Sequence, residues 1–385
     1  MKITARKLSG EICHVQIEEH HFKTIRLEKG DLLDLPWIAP GLIDIQVNGF
    51  GGIDFNRPIE SDDAWRHAAQ QLYAHGCTGF LATLITNTEE GYRPLLRDLT
   101  GRITLDPRNC LGFHMEGPWL NPDPGYRGAH RADWMRKPSL GQLDEWWGIA
   151  GSLLKLITLA PEVDPFQAMQ VIRAGVEKKI QFFLGHTAAM GDAINMAMAA
   201  GAVGWTHLGN AVPATVPKFE NVILHALAQP KLLASLIPDG RHLPPHAFRV
   251  LARSLARSHI PRLLLTTDAM AGAAAGKTGT FTLGDVQAEV GADGTARLPV
   301  AGAPGTGRLA GSTLTPFEGV FRAEQMAGLF LEDAWTAFST RPASLLGLNH
   351  GIAEGNLADF CLISPEKTPY LLATYHRGKC VYEAP

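Results

Sequence analysis

Between residues 41 and 269 short, almost unbroken apolar runs alternate with amphipathic stretches, and this pattern constrains the fold more than any other feature. The runs are GLIDIQV, GFLATL, LGFHME, LLKLITLAPE, QFFLGHT, AVGWTH, LLASLIPDG and RLLLTTDA. Strands this apolar must be buried on both faces, as in a parallel sheet covered by helices. The stretch after the first run, SDDAWRHAAQQLYAHG, opens on a capping serine with two acids and closes on Gly76, as a helix does. DPFQAMQVIRAGVEKK, GDAINMAMAAG, ENVILHALAQ and PPHAFRVLARSLARSH read the same way. Eight strands alternating with helices predict a TIM-like (β/α)8 barrel, the count at which such a sheet closes.

The flanks follow a different period. EICHVQIEE alternates as a strand does, and DFCLI and YLLATYHRGKCVYE predict further strands with a hairpin turn at Arg377 and Gly378. The expected organisation is therefore α/β, a barrel over 39–349 with a small β-sandwich-like, β-rich domain built from both termini, 1–38 and 350–385. An Ala/Gly-rich stretch near 271–308 predicts a β-hairpin insertion in the barrel, with a turn at Asp293-Gly294. A barrel takes about 250 residues, so the 385 present accommodate it and the small domain together.

Composition narrows the function classes. With 19% charged residues and a net charge of -3, there is no basic excess to draw nucleic acid or anionic membrane. No apolar run approaches the length of a membrane span, and the N-terminus has basic residues without the apolar stretch of an export signal. Five cysteines, odd in number and far apart, form no Cys-x-x-Cys pair. Neither a disulfide framework nor a thiolate zinc site is expected, and a cytoplasmic location suits them. Small-molecule chemistry is the better default.

In a barrel of this kind, chemistry gathers at the C-terminal ends of the strands, where the loops converge. Glu116 closes the third run, His186 the fifth, His207 the sixth and Asp268 the eighth. A lone histidine in such a place is usually a hydrogen-bonded structural group. One carboxylate and two imidazoles at matching depth are a three-ligand set for Zn²⁺ or a similar divalent ion, with a position left open for water. Asp268 is then placed to accept a proton from that water.

GLIDIQVNG, GFHMEGPWLNP, GYRGAH, TLAPE, LGHT, THLGNA, PDGRH, TTDA, LAGSTLT and EGNLADF resemble, in this order and spacing, the N-acetylglucosamine-6-phosphate deacetylases of the amidohydrolase superfamily. The resemblance runs from about residue 39 to the C-terminus and is specific as a set. It implies metal-dependent hydrolysis of the N-acetyl group of N-acetylglucosamine 6-phosphate to glucosamine 6-phosphate and acetate. Metal-activated water attacks, with Asp268 as the proton shuttle. His130 is implied as the histidine that contacts the substrate carbonyl, against the alternative of a solvated loop histidine. Asn210, Ala211, Lys218, His242 and Leu309 are implied as substrate-binding residues.

Some members of that family carry His-x-His after the first strand and others Gln-x-Asn. Here Gln46 and Asn48 stand in those places, and amides are poor ligands for transition metals. The resemblance is therefore to the single-metal sort: one divalent ion per chain, Zn²⁺ foremost with Fe²⁺, Co²⁺ or Mn²⁺ as alternatives, held by Glu116, His186 and His207. Two readings of Gln46 and Asn48 stay open, orienting water in the pocket or plain strand-end hydrogen bonding, and Asp44 reads as supporting structure.

The departures lie around the phosphate. Where the family commonly has Arg-Glu-Pro-Gly, with an arginine that in some members crosses a dimer interface, this sequence has Pro217-Lys218-Phe219-Glu220-Asn221. Lysine keeps the charge and loses the planar fork that grips phosphate by two parallel bonds. Gly209 replaces an aromatic residue, and Arg241 is either a substitute guanidinium or a surface charge. A homodimer is implied. The alternatives are a deacetylase of a related or unphosphorylated N-acetyl amino sugar, a cyclic-amide hydrolase, which would usually need the absent His-x-His, and a non-catalytic sugar-phosphate-binding barrel, in which Asp268 would have no use.

Overall fold

The computed structural model describes residues 1–30, 34–303 and 305–385. Positions 31–33 of the expected terminal domain and 304 of the insertion lie outside the described residues. The eight apolar runs become eight parallel strands, each paired with the next in chain order: Leu42–Val47, Cys77–Ile85, Cys110–Glu116, Leu154–Leu159, Gln181–Leu184, Gly204–Trp205, Leu233–Leu236 and Leu263–Leu265. A parallel bridge between Val47 and Ala269 brings the chain beyond the eighth strand back to the first, and the Asn48 N–H donates to the Ala269 carbonyl at 2.7 Å. Ile45, Leu81, Leu156, Phe183 and Leu264, each from a different strand, form a core of their own. The larger core is built between the strands and the surrounding helices.

One irregularity bears on the site. Between the pairs Asp44–Phe80 and Val47–Ala82 the first strand has one residue more than the second. Such a bulge re-aims side chains. Here both Ile45 and its neighbour Gln46 are directed inward, Ile45 into the barrel core and Gln46 onto Glu116.

The expected helices form where their caps are. Asp62–Tyr73 is capped by Ser61, Pro165–Glu177 by Asp164 and Val222–Ala228 by Asn221, while Gly191–Ala200 ends on Gly201 at φ 119°. Pro245–Ala256 lies against Pro316–Ala327. Glu89–Leu105, Leu140–Ala150, Pro316–Ala327, Leu331–Ala337 and Thr340–Leu345 add to the expected set. Glu89–Leu105 carries Pro94 within it, and an internal proline breaks the sequence signal of a helix. Among the described residues no helix is long and apolar enough to cross a membrane.

Strands from both termini share one seven-stranded sheet, in the order Lys379–Glu383, Leu371–His376, Phe360–Ile363, Trp37–Pro40, Lys2–Lys7, Ile12–Glu18, His21–Glu28. It has its own core, including Val15, Ile17, Phe22, Ile38 and Phe360. The hairpin turns at Arg377 (φ 49°) and Gly378 (φ 70°), the paired left-handed backbone of a tight two-residue turn. The insertion forms a three-stranded antiparallel sheet, Gly279–Leu283, Val286–Val290 and Ala296–Arg297. Gly284 at its first turn donates to Asp54 Oδ2 at 2.8 Å, which holds the hairpin over the barrel mouth.

Candidate active site

The strand-end residues meet in one place. Glu116, His186, His207 and Asp268 are all buried, and with His130 they line an open cavity of about 290 Å³ at the barrel mouth. His186, His207 and Asp268 have φ of 50°, 34° and 50°. Left-handed backbone costs a residue with a side chain roughly 1–3 kcal/mol, and less for histidine and aspartate than for most. Three such turns, at the ends of the fifth, sixth and eighth strands, direct three polar side chains into one cavity.

Glu116 Oε1 is the focus. Gln46 Nε2 donates to it at 2.9 Å, His207 Nε2 lies 2.8 Å away and His186 Nε2 3.2 Å away. Burial pushes the carboxyl upward, but the bonds from His186 and His207 outweigh it and hold Glu116 well below the ordinary carboxylate range. At His207 burial works against the charged ring, yet the hydrogen bond and charge of Glu116 and the charge of Asp268 raise its pKa. The site favours positive charge beside this carboxylate.

The neighbouring imidazoles His130 and His186, with centroids 4.5 Å apart, are held in opposite tautomers. His186 Nδ1 lies 2.8 Å from the Tyr126 carbonyl, which only accepts. Nδ1 therefore carries a proton, and Nε2 is the ring atom left to face the carboxylate oxygen. An imidazole nitrogen facing a carboxylate oxygen at this distance is a place where a proton or a metal ion can sit. His130 Nδ1 accepts from the Thr86 backbone N–H at 3.4 Å and lies 2.9 Å from the Thr86 hydroxyl. A backbone N–H only donates, so the neutral ring carries its proton on Nε2, 3.8 Å from Glu116 Oε2. Burial, reinforced by His186, lowers the His130 pKa to about 3 and keeps the ring neutral.

This difference decides which residues fit a metal. By spacing alone, ligand atoms of Glu116, His130 and His186 lie within 4.8 Å of one another. The Nε2–H of His130 has no lone pair to offer, whereas His186 has one. His207 brings Nε2 to the same carboxylate oxygen, and its Nδ1 is buried without a partner among the described residues. A carboxylate with imidazole lone pairs aimed at it is a donor set that suits a divalent transition ion.

Across the cavity, burial first and then the charge of Glu116 raise the Asp268 pKa to about 6, against the opposing effects of His207, His242 and the hydrogen bond from Asn48. Asn48 Nδ2 donates to Asp268 Oδ1 at 2.7 Å. The two amides of the first strand thus each serve an acid, Gln46 on Glu116 and Asn48 on Asp268. Below them Asp44 accepts from the hydroxyls of Thr266 and Thr267, each at 2.6 Å, and from the Thr267 N–H. It clamps the first strand to the eighth beneath the site.

The outer part of the cavity is made by loops. Asn210, Ala211, His242 and Leu309 line it. Asn210 Nδ2 is tied to the His207 carbonyl at 3.0 Å, and His242 Nδ1 to Asp239 Oδ2 at 2.7 Å. Lys218 is not brought in: it is exposed, outside the lining, with Nζ 5.2 Å from the ring of exposed Phe219. Arg241 faces a neighbouring cavity of about 170 Å³, which also contains Arg322 and shares His242 and Leu309 with the first. Sequence reasoning missed Thr86, the Tyr126 carbonyl, Gly128 and Arg308. A Cβ on Gly128, at φ +57°, would lie 3.0 Å from His186 Cε1, so a side chain there would crowd a ligand.

The chain is similar to known proteins in both sequence and fold. The amidohydrolase family model matches residues 37–381. The N-acetylglucosamine-6-phosphate deacetylase of Rattus norvegicus is 33% identical over 363 residues, 90% of this chain and 84% of that one. The crystal structure of the N-acetylglucosamine-6-phosphate deacetylase of Thermotoga maritima superposes with a TM-score of 0.86 at 25% identity, covering 100% of both chains. That of a point mutant of the Mycobacterium smegmatis enzyme in complex with N-acetyl-D-glucosamine-6-phosphate gives 0.84 at 27% identity, over 96% of this chain and 94% of the other.

Proposed function

The chain belongs to the amidohydrolase family, and we infer that within it the chain hydrolyses the N-acetyl group of N-acetylglucosamine 6-phosphate to acetate and glucosamine 6-phosphate. The observation that carries this reading is the convergence of Gln46, His186 and His207 on Glu116 Oε1, with Asp268 lining the same cavity. Glu116, His186 and His207 are assigned as the residues that hold one divalent ion, Zn²⁺ by the character of the donors. When bound, such an ion lowers the pKa of water and polarises a carbonyl.

The remaining steps belong to the chain's own groups. His130, neutral with its proton on Nε2, donates to the acetamide oxygen, where negative charge develops as water adds. Asp268, with its pKa near 6, is mostly ionised at neutral pH and takes a proton from the attacking water. Asn48 occupies Oδ1, which leaves Oδ2 for that proton. Asp268 then delivers it to the nitrogen as the C–N bond breaks, because an amide anion is too basic to leave. The Tyr126 carbonyl and Thr86 keep the two imidazoles in the tautomers these roles need. Asn210, Ala211, His242 and Leu309 bind the sugar phosphate.

Residues 39–349 are assigned to the catalytic barrel and 1–38 with 350–385 to a small β-rich domain, the terminal-sheet strand Trp37–Pro40 crossing that boundary. A homodimer is the proposed assembly, and the five free cysteines suit the cytoplasm. Because Lys218 lies outside the cavity lining, an unphosphorylated N-acetyl amino sugar is the second reading. Acetate release from both sugars, measured with chelated and metal-reloaded protein, tests both. Acetate only from the reloaded protein and a higher kcat/KM for the phosphorylated sugar are expected; a fully metal-loaded chain that releases no acetate from either would contradict the assignment.

A further inference from the structure

We propose that Arg308 supplies, from within the same chain, the guanidinium that selects the phosphorylated sugar. The proposal rests on the substrate reading above. A phosphate dianion entering a cavity that already holds Glu116 and Asp268 needs a cation near its path, and the family's usual position for one is Lys218, exposed and outside the lining. Among the described residues Arg308 is the one lysine or arginine that lines this cavity.

Its surroundings suit the role. Arg308 Nη1 donates to the Gly128 carbonyl at 3.1 Å, which steadies the planar group and, among the described residues, leaves its other donors free. Among the described residues it forms no ion pair, unlike nearby Arg131, which is paired with Asp133 and Asp285. Gly128 packs between the metal side and the sugar side of the cavity: a Cβ there would stand 3.0 Å from His186 Cε1 and 4.0 Å from Ala211 Cβ. Arg308 and Ala211 thus both approach Gly128, and both line the cavity. Arg241 is the weaker candidate because it faces the adjoining cavity, where Asp239, Asp293 and Glu318 compensate it and Arg322.

The test uses the full-length, metal-loaded enzyme and compares N-acetylglucosamine 6-phosphate with N-acetylglucosamine in the wild type, Arg308→Gln, Arg308→Lys, Arg241→Gln and Lys218→Gln. Calorimetric binding of glucosamine 6-phosphate and glucosamine is measured alongside. A hydrogen-bonded charge contact of this kind is typically worth roughly ten- to a hundredfold. Arg308→Gln should raise KM for the phosphorylated sugar by that factor, move its kcat by less than about threefold and weaken glucosamine 6-phosphate equally, with glucosamine shifted less than about twofold. Arg308→Lys should fall between, since it keeps the charge and loses the fork, and it carries the comparison should Arg308→Gln fold poorly. Equal losses on both sugars would overturn the proposal, because Arg308 would then merely brace the Gly128 loop. So would a selective loss in Lys218→Gln or Arg241→Gln with Arg308→Gln unchanged. A wild type that treats both sugars alike overturns the substrate reading itself and is seen before any variant is compared.

Discussion

The floor of the cavity and its rim are built in opposite ways. On the floor, Glu116, His186, His207 and Asp268 stand at strand ends, buried, with the carboxylates tied to Gln46 and Asn48 and His186 to Tyr126. On the rim, Arg308 is exposed and lies in a loop outside the helices and barrel strands, as does Lys218 beyond the lining. Rigid, desolvated groups suit a task in which a proton and a developing charge must be met at fixed positions. Exposed cations contribute less, and what they contribute is selectivity. Damage to the floor should therefore remove turnover, and damage to the rim should change which sugar is preferred.

The largest effect is expected at Asp268. Asp268→Asn is nearly isosteric but cannot take up or return a proton, so kcat should fall by about 10² to 10⁴ while metal content and KM change little. Steady-state kinetics with metal analysis would check this, and near wild-type turnover would place the proton transfer elsewhere. The pH profile comes next. Asp268 has a pKa raised to about 6 and works as the carboxylate, so the active form is lost as pH falls through that value. The acid limb of kcat should drop about tenfold per pH unit below about 6 and should disappear in Asp268→Asn; a limb that persists there belongs to another group. The selective, roughly ten- to a hundredfold change expected of Arg308→Gln tests the rim. The smallest effect is expected from Lys218→Gln, less than about threefold in kcat/KM. A tenfold loss that depends on protein concentration would instead show that a neighbouring chain completes the rim.

Legibility in the sequence follows the same division. Glu116, His186, His207 and Asp268 were readable because a polar residue closing a doubly apolar strand has one place to go, the barrel mouth. The terminal sheet was readable from its period of two. His130 came only from family resemblance, since the loop between Asn121 and His130 has no periodicity to place a ring. The Tyr126 contribution is a backbone carbonyl and leaves no side-chain trace. Nothing local to Arg308 points to a cavity: its partner Gly128 is 180 residues away, and its setting is the Gly/Ala-rich end of the insertion. The bulge that directs Gln46 onto Glu116 is likewise a matter of strand register, invisible until the first two strands are paired.

The central claim is that two touching imidazoles do different work, His186 holding the ion and His130 donating to substrate. Metal content per chain in His186→Gln and His130→Gln, purified and reloaded identically, tests it most directly. The account expects about one ion per chain to survive in His130→Gln, with activity reduced, and His186→Gln to fall well below that. Loss of the ion in both variants would contradict it and would mean that Glu116, His130 and His186, the trio whose ligand atoms lie within 4.8 Å of one another, hold the metal instead.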